Sequence, residues 1–259
     1  MNPAPAADLR RLAAVGPYFA LDTAASADDD TPPPGYRPLH ELYELYGDGR
    51  VRPDGPLAAR VHVVAQRLGT AELRVAASIL HLGLAARFWS VGVGAAVLLG
   101  AVPSLEGAWM RIPDQGPIDL WTPRWTPQGS ATPSPATTTL AEQLHDAVIV
   151  GQLEPLAEAV RSVAPLSARL LLGNSASALA GTLRVLDGHA PDAARTLVAE
   201  LLDRPPLAGT GTLRTGPHGT AFRRRSCCLY YRVGPGAGVC GDCCFTRPPS
   251  SRRPRTDGP

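Results

Sequence analysis

Residues 75–105 read Val75-Ala76-Ala77-Ser78-Ile79-Leu80-His81-Leu82-Gly83-Leu84-Ala85-Ala86-Arg87-Phe88-Trp89-Ser90-Val91-Gly92-Val93-Gly94-Ala95-Ala96-Val97-Leu98-Leu99-Gly100-Ala101-Val102-Pro103-Ser104-Leu105. His81 and Arg87 carry the only titratable side chains in this run, so it decides between a membrane protein and a helical protein with a large core. A bilayer span needs about 20 consecutive apolar residues in one helix. Arg87 divides the run at residues 75–86 and 88–105, and Gly92, Gly94, Gly100 and Pro103 interrupt the second piece. Neither piece reads as a span, and the expectation is two packed core helices. Gly92-Val93-Gly94 lacks the third glycine and the preceding strand of a dinucleotide-binding loop and carries no nucleotide chemistry.

Outward from that run the pattern stays helical. Apolar residues at three- and four-residue intervals predict helices over 6–15, 38–46, 57–68, 140–149, 153–163, 166–186 and 192–202. Gly47, Gly69, Gly151, Pro165 and Pro191 punctuate them. Two short apolar runs, 109–112 and 118–121, flank a proline-rich turn and read as a small hairpin. The 28–34 segment and the stretch up to Thr139 read as loops. Arg10-Arg11 ahead of an apolar stretch imitates a twin-arginine export signal, but Asp8, Gly16-Pro17 and Asp22 spoil it, and a first helix is the better reading. Six scattered histidines, none in a zincin-type pair, and the lack of a G-x-S-x-G elbow give no support for hydrolytic chemistry.

Charge and cysteine are unevenly placed. All 25 basic residues are arginine, with 15 of them against 21 acids up to Asp203 and 10 against 2 acids beyond it. An acidic body of net −6 therefore carries a basic tail of net +8. All five cysteines (Cys227, Cys228, Cys240, Cys243 and Cys244) lie in that tail, unlike a disulfide framework spread through a small secreted domain. Residues 229–233 have strand composition and 234–238 turn composition, so a hairpin with Val233 opposite Val239 would bring the cysteine pairs together. An extended Cys240–Cys243 segment would separate its sulfurs by roughly 10 Å. It must curl into a knuckle, which Gly241 makes easy, and the backbone at Cys227-Cys228 must bend as well. Four converging thiolates suit zinc or an iron–sulfur cluster, and a disulfide is a further alternative; spacing alone leaves these open.

The segment Arg224-Arg225-Ser226-Cys227-Cys228-Leu229-Tyr230-Tyr231-Arg232, closed by Cys240-Gly241-Asp242-Cys243, closely resembles the C-terminal signature of the FhuF-like ferric-siderophore reductases, C-C-x₁₀-C-x₂-C. Leu172-Gly173-Asn174-Ser175-Ala176-Ser177-Ala178-Leu179 and Pro205-Pro206-Leu207 also look like segments of that family. The resemblance implies a [2Fe–2S] cluster on Cys227, Cys228, Cys240 and Cys243. It implies a cytoplasmic oxidoreductase that delivers one electron to a ferric siderophore, of hydroxamate type, and takes it from a separate donor protein or reductant. Here eleven residues rather than ten separate Cys228 from Cys240, and Cys244 is an additional thiol that could replace Cys243, form a redox-sensitive pair or be a small buried side chain.

The expected architecture is mainly α (α+β). Residues 1–203 form a helical body with a hairpin insertion and serve as siderophore-docking region. Residues 204–246 form a cysteine-rich hairpin or knuckle holding the cluster, and 247–259, with Arg252, Arg253 and Arg255, a disordered basic tail. Arg223, Arg224 and Arg225 read as a solvated or partner-steering face. No transmembrane span is expected, and peripheral membrane association stays open. The rival class is a zinc or iron–sulfur module that binds nucleic acid or senses redox state without reductase activity. It is motivated by the basic tail, but lacks a recognition helix, so no nucleic-acid partner is expected.

Overall fold

The computed structural model describes residues 6–24, 30–125, 139–216, 219–234 and 236–249. Helix α1 (Ala6–Val15) leads through two-residue strands β1 (Asp22–Thr23) and β2 (Arg37–Pro38) to α2 (Pro56–Leu68) and α3 (Leu73–Leu99). Strands β3 (Trp109–Arg111) and β4 (Asp119–Thr122) follow. Then come α4 (Leu140–Leu144), a π-helical stretch His145–Leu153, α5 (Glu154–Val163), α6 (Ala168–Leu186) and α7 (Pro191–Leu202). A second hairpin, β5 (Gly211–Gly216) and β6 (Gly219–Arg224), precedes the cysteines. The mainly α reading with a small β insertion holds.

The apolar run forms one helix, which corrects the reading of two. Arg87 does not end it, because its charge is used inside the fold: Nε donates to the Ile118 carbonyl at 2.8 Å, one terminal nitrogen to Tyr18 O at 2.6 Å and the other to Ala20 O. Burial lowers the guanidinium's pKa to about 10, which leaves it charged at neutral pH. Arg87 thus pins the strap between α1 and β1 to the centre of the molecule. Gly92 and Gly94 do not break the helix either; they admit close neighbours. A methyl group at Gly92 would lie 2.8 Å from Leu144 Cδ2, and one at Gly94 would lie 2.6 Å from Phe19 Cδ1. The helix ends where expected, with Gly100 left-handed at φ 70°. It is long and apolar enough to cross a membrane, yet 67% of its most apolar window is buried against neighbouring elements. It is the core helix, flanked by α1, α2, the π stretch, α6 and α7.

Two other expectations change, and one is extended. The predicted helix over 38–46 is a single 3₁₀ turn, Leu39–Leu42, whose two leucines are buried. Gly151 does not separate two helices: α4, the π stretch and α5 run on without a break. The 109–112/118–121 hairpin forms, with Trp109 opposite Trp121, and gains β1 and β2 as neighbours in the order β1-β4-β3-β2. The loop residues 25–29 and 126–138 and the tail from 250 onward, with Arg252, Arg253 and Arg255, lie outside the described residues.

Candidate metal centre

Strand β6 delivers the chain to the cysteines. Its side chains alternate, so Phe222 and Arg224 are buried while Arg223 is exposed. The pairing lies here, between Gly211 and Arg224, and not in the 229–239 segment where strand composition placed it. Residues 230–232 are instead a 3₁₀ turn that starts from Leu229, the one non-glycine residue at positive φ (68°) among the described residues. A left-handed leucine is sterically costly and is held only where its surroundings over-determine it. This bend at Leu229 lets the adjacent Cys227 and Cys228 turn toward one centre. The knuckle from Cys240 to Cys243 forms as expected, closed by the Cys243 amide donating to the Cys240 carbonyl at 3.1 Å. Gly241 does not take a left-handed conformation there.

The five sulfurs lie close together, and Cys227 is in hydrogen-bond contact with Cys228. Cys228 Sγ lies 3.4 Å from Cys240 Sγ. The Sγ atoms of Cys227, Cys243 and Cys244 all lie within 4.8 Å of one another. Backbone amides point at these sulfurs: Leu229 N–H donates to Cys227 Sγ at 3.3 Å and Phe245 N–H to Cys243 Sγ at 3.4 Å. Cys228 and Cys243 are buried, and Cys227, Cys240 and Cys244 half-buried. Cys244 is therefore not a fully buried filler; its sulfur belongs to the cluster of thiols.

The thiols bias one another's charge. Hydrogen bonds from Cys227 and then Cys240, with the Arg224 guanidinium behind them, hold the Cys228 thiol far below its ordinary range. The same contact with Cys228, followed by burial, pushes Cys227 and Cys240 up. Burial and then Cys243 push Cys244 up. Arg224 is the fixed cation of the site: one terminal nitrogen lies 3.1 Å from Cys240 Sγ and the other donates to Asn174 Oδ1 at 2.6 Å. Burial opposes its charge, but Cys228 and Cys240 more than offset this and raise its pKa. The solvated reading of the arginine triplet holds for Arg223 and Arg225 and is corrected for Arg224.

Helices α3 and α6 hold the loops in place. Asn174 donates to the carbonyl and hydroxyl of Ser78 at 2.9 and 3.1 Å, and the Ser78 hydroxyl donates to the Cys228 carbonyl at 2.8 Å. A buried chain thus runs from α6 through α3 to a candidate ligand's backbone. Asp242 anchors the knuckle: its carboxylate accepts from the Ser177 hydroxyl at 2.5 Å and pairs with Arg184 at 3.5 Å, while its carbonyl accepts from the Arg224 amide at 3.0 Å. Gly173 admits the Ser226 side chain, since a methyl group on it would come within 2.0 Å of Ser226 Oγ. Farther out, Arg232 grips Glu72 at the start of α3, with its shortest contact at 2.6 Å.

Sequence reading singled out the four cysteines but missed Ser78, Asn174, Ser177 and Asp242 as their supports. The signal was available: Gly173, Asn174, Ser177, Gly181 and Arg184 recur at helical spacing as a small and polar stripe on a helix rich in leucine and alanine. Chemically, an all-sulfur donor set with amide hydrogen bonds and one buried cation suits a soft metal centre with no open position.

Comparison with known proteins agrees. Residues 224–245 match the family model described as FhuF 2Fe-2S C-terminal domain. No curated protein matches the chain. The resemblance read from the cysteine spacing is borne out, and the cofactor of this segment is a [2Fe–2S] cluster. The thiols fit it: Cys228 and Cys240 with sulfurs 3.4 Å apart, and Cys227, Cys243 and Cys244 with sulfurs within 4.8 Å of one another, supply the four thiolates of a two-iron centre and one more.

Proposed function

We propose that the protein is a ferric-siderophore reductase in which Cys227, Cys228, Cys240 and Cys243 would ligate the cluster. The observation that carries this reading is the convergence of those sulfurs inside the matched segment. When bound, the [2Fe–2S] centre supplies electrons one at a time and offers no vacant site for substrate. The chain's own residues hold the sulfurs, exclude water from Cys228 and Cys243, and set the charge around them through Arg224. Hydroxamate oxygens are hard donors that hold Fe(III) tightly and Fe(II) weakly, so one electron delivered to the bound complex turns Fe(III) into Fe(II) and loosens it. Residues 204–246 would be the electron-carrying part and the helical body, 1–203, the docking part, in a cytoplasmic protein. Arg214, Arg223 and Arg225 are exposed around a cleft that reaches Cys240 and Cys243, and this face suits an anionic electron donor.

Purified protein tests the reading. Iron and acid-labile sulfide should be found in equal amounts, and dithionite-reduced protein should be reoxidised by a ferric hydroxamate as Fe(II) accumulates in a chelator trap. A colourless preparation holding only zinc would overturn it. So would a reduced protein that ferric hydroxamates leave reduced, and DNA binding in that same preparation would favour the rival class. The fourth ligand is tested by Cys243→Ser and Cys244→Ser: the first should abolish cluster content and the second preserve it.

A further inference from the structure

Two openings reach Cys240, and they differ in charge. One is the arginine-lined cleft just described. The other is a cavity of about 760 Å³ between the strap after α1, helices α3 and α6, and the knuckle. Its walls include Tyr18, Ala86, Ala178, Val185 and Phe222, and Cys240 and Gly241 form part of them. Among the described residues its one cation, Arg184, is matched by Asp242 at 3.5 Å, so the cavity is charge-balanced, whereas the cleft carries three exposed arginines with no ion-pair partner among those residues. Large apolar side chains that normally avoid water are exposed at its edge, Tyr18 at 37% and Val185 at 44%. A concave, mostly apolar space of several hundred Å³ with a few polar groups is the usual form of a small-molecule site.

We propose that this cavity is where the ferric complex sits, with Tyr18 and Val185 packing on its organic arms and Cys240 forming the wall through which the electron arrives. The proposal rests on the reductase reading and adds a site to it. Three hydroxamates, each of charge −1, neutralise Fe(III), so a ferric tris-hydroxamate enters without an uncompensated charge. A tris-catecholate carries −3 overall, and an apolar cavity without a free cation would have to desolvate that charge unaided. The cavity therefore selects neutral complexes. Arg87 serves it at a distance, by fixing the carbonyls of Tyr18 and Ala20 in the strap.

The probe is a gallium(III) tris-hydroxamate, which matches the ferric complex in charge and shape and cannot be reduced. Its affinity for cluster-loaded protein would be measured by calorimetry. Val185→Arg adds bulk and charge at a half-exposed position. Gly181→Leu fills the cavity from α6, where a new methyl group meets only the movable end of Arg184 at 3.4 Å. Both should weaken binding by about tenfold or more, with iron and sulfide content and the visible absorbance of the cluster unchanged. Arg214→Glu should leave gallium-complex affinity unchanged. Wild-type affinity in both cavity variants, no binding by the wild type, or loss of binding only in Arg214→Glu would each overturn the cavity assignment. The reductase reading fails separately, if ferricyanide reoxidises the reduced wild type but a ferric tris-hydroxamate does not. Gallium binding that both cavity variants weaken would still place a neutral hydroxamate ligand in the cavity in that event.

Discussion

Gly173→Ala is the sharpest probe of how the body holds the cysteine loops. The new methyl group would sit 2.0 Å from Ser226 Oγ and 3.4 Å from Ser226 Cβ, so almost the whole clash lies with one hydroxyl. That hydroxyl is buried and has no hydrogen-bond partner among the described residues, so it contributes no compensating bond. Helix α6 cannot retreat, because Asn174 beside it is tied to Ser78 and Arg224. The strain should therefore pass into residues 226–228 and displace the first two cysteines. Overpacking of this kind costs about 1–3 kcal/mol, although an alanine in mid-helix regains roughly 0.5–1 kcal/mol over glycine. A protein of this size then loses about 2–4 °C of Tm per kcal/mol. Ser226→Ala alone removes an unsatisfied polar group and should be neutral or slightly stabilising. With Ser226→Ala, the clash falls to an ordinary methyl contact, so the double variant should regain stability and cluster content. Thermal unfolding and visible absorbance of all four proteins complete the cycle. If Gly173→Ala is as harmful in the Ser226→Ala background as alone, the close approach of α6 to Ser226 is not what positions the cysteines.

Two further perturbations test the body. Arg87→Met leaves the carbonyls of Tyr18, Ala20 and Ile118 without their donor, and an unsatisfied buried acceptor costs about 1–3 kcal/mol. A drop in stability of roughly 3 kcal/mol is expected, with faster amide exchange in residues 18–21; unchanged exchange there would refute the pin. His81 is fully buried, both of its ring nitrogens lack a partner among the described residues, and burial holds its pKa down to about 4. Because the unfolded imidazole titrates near its ordinary 6.5, the unfolded chain takes up the proton first as pH falls. The stability present above pH 6.5 should be lost toward pH 4 at up to ~1.4 kcal/mol per pH unit. Urea unfolding between pH 7.5 and 4.5 measures this, and His81→Leu should flatten the decline; an equally steep fall in that variant would place the cause elsewhere.

The cysteine spacing made a soft, sulfur-ligated centre legible from sequence, because such a centre needs several thiolates within a few residues of bendable chain, while the [2Fe–2S] cluster itself came from the family resemblance. Helix positions were legible wherever an apolar period ran between clear stops, as in α1, α2, α6 and α7. The long apolar run was misjudged for a physical reason: a charged residue in mid-helix reads as an interruption until the carbonyls that accept from it are known. Those carbonyls belong to Tyr18, Ala20 and Ile118, remote from Arg87 in sequence. The arginine triplet was misread in the same way, since β6 has too little apolar content to reveal the alternation that buries Arg224. By itself, then, the sequence determined that the chain is helical with a sulfur-ligated centre near its end, because both follow from residue type at short range. Tertiary structure alone decided which arginine faces the sulfurs, which helix supports the loops and which cavity opens beside Cys240, because each depends on partners that only folding brings together.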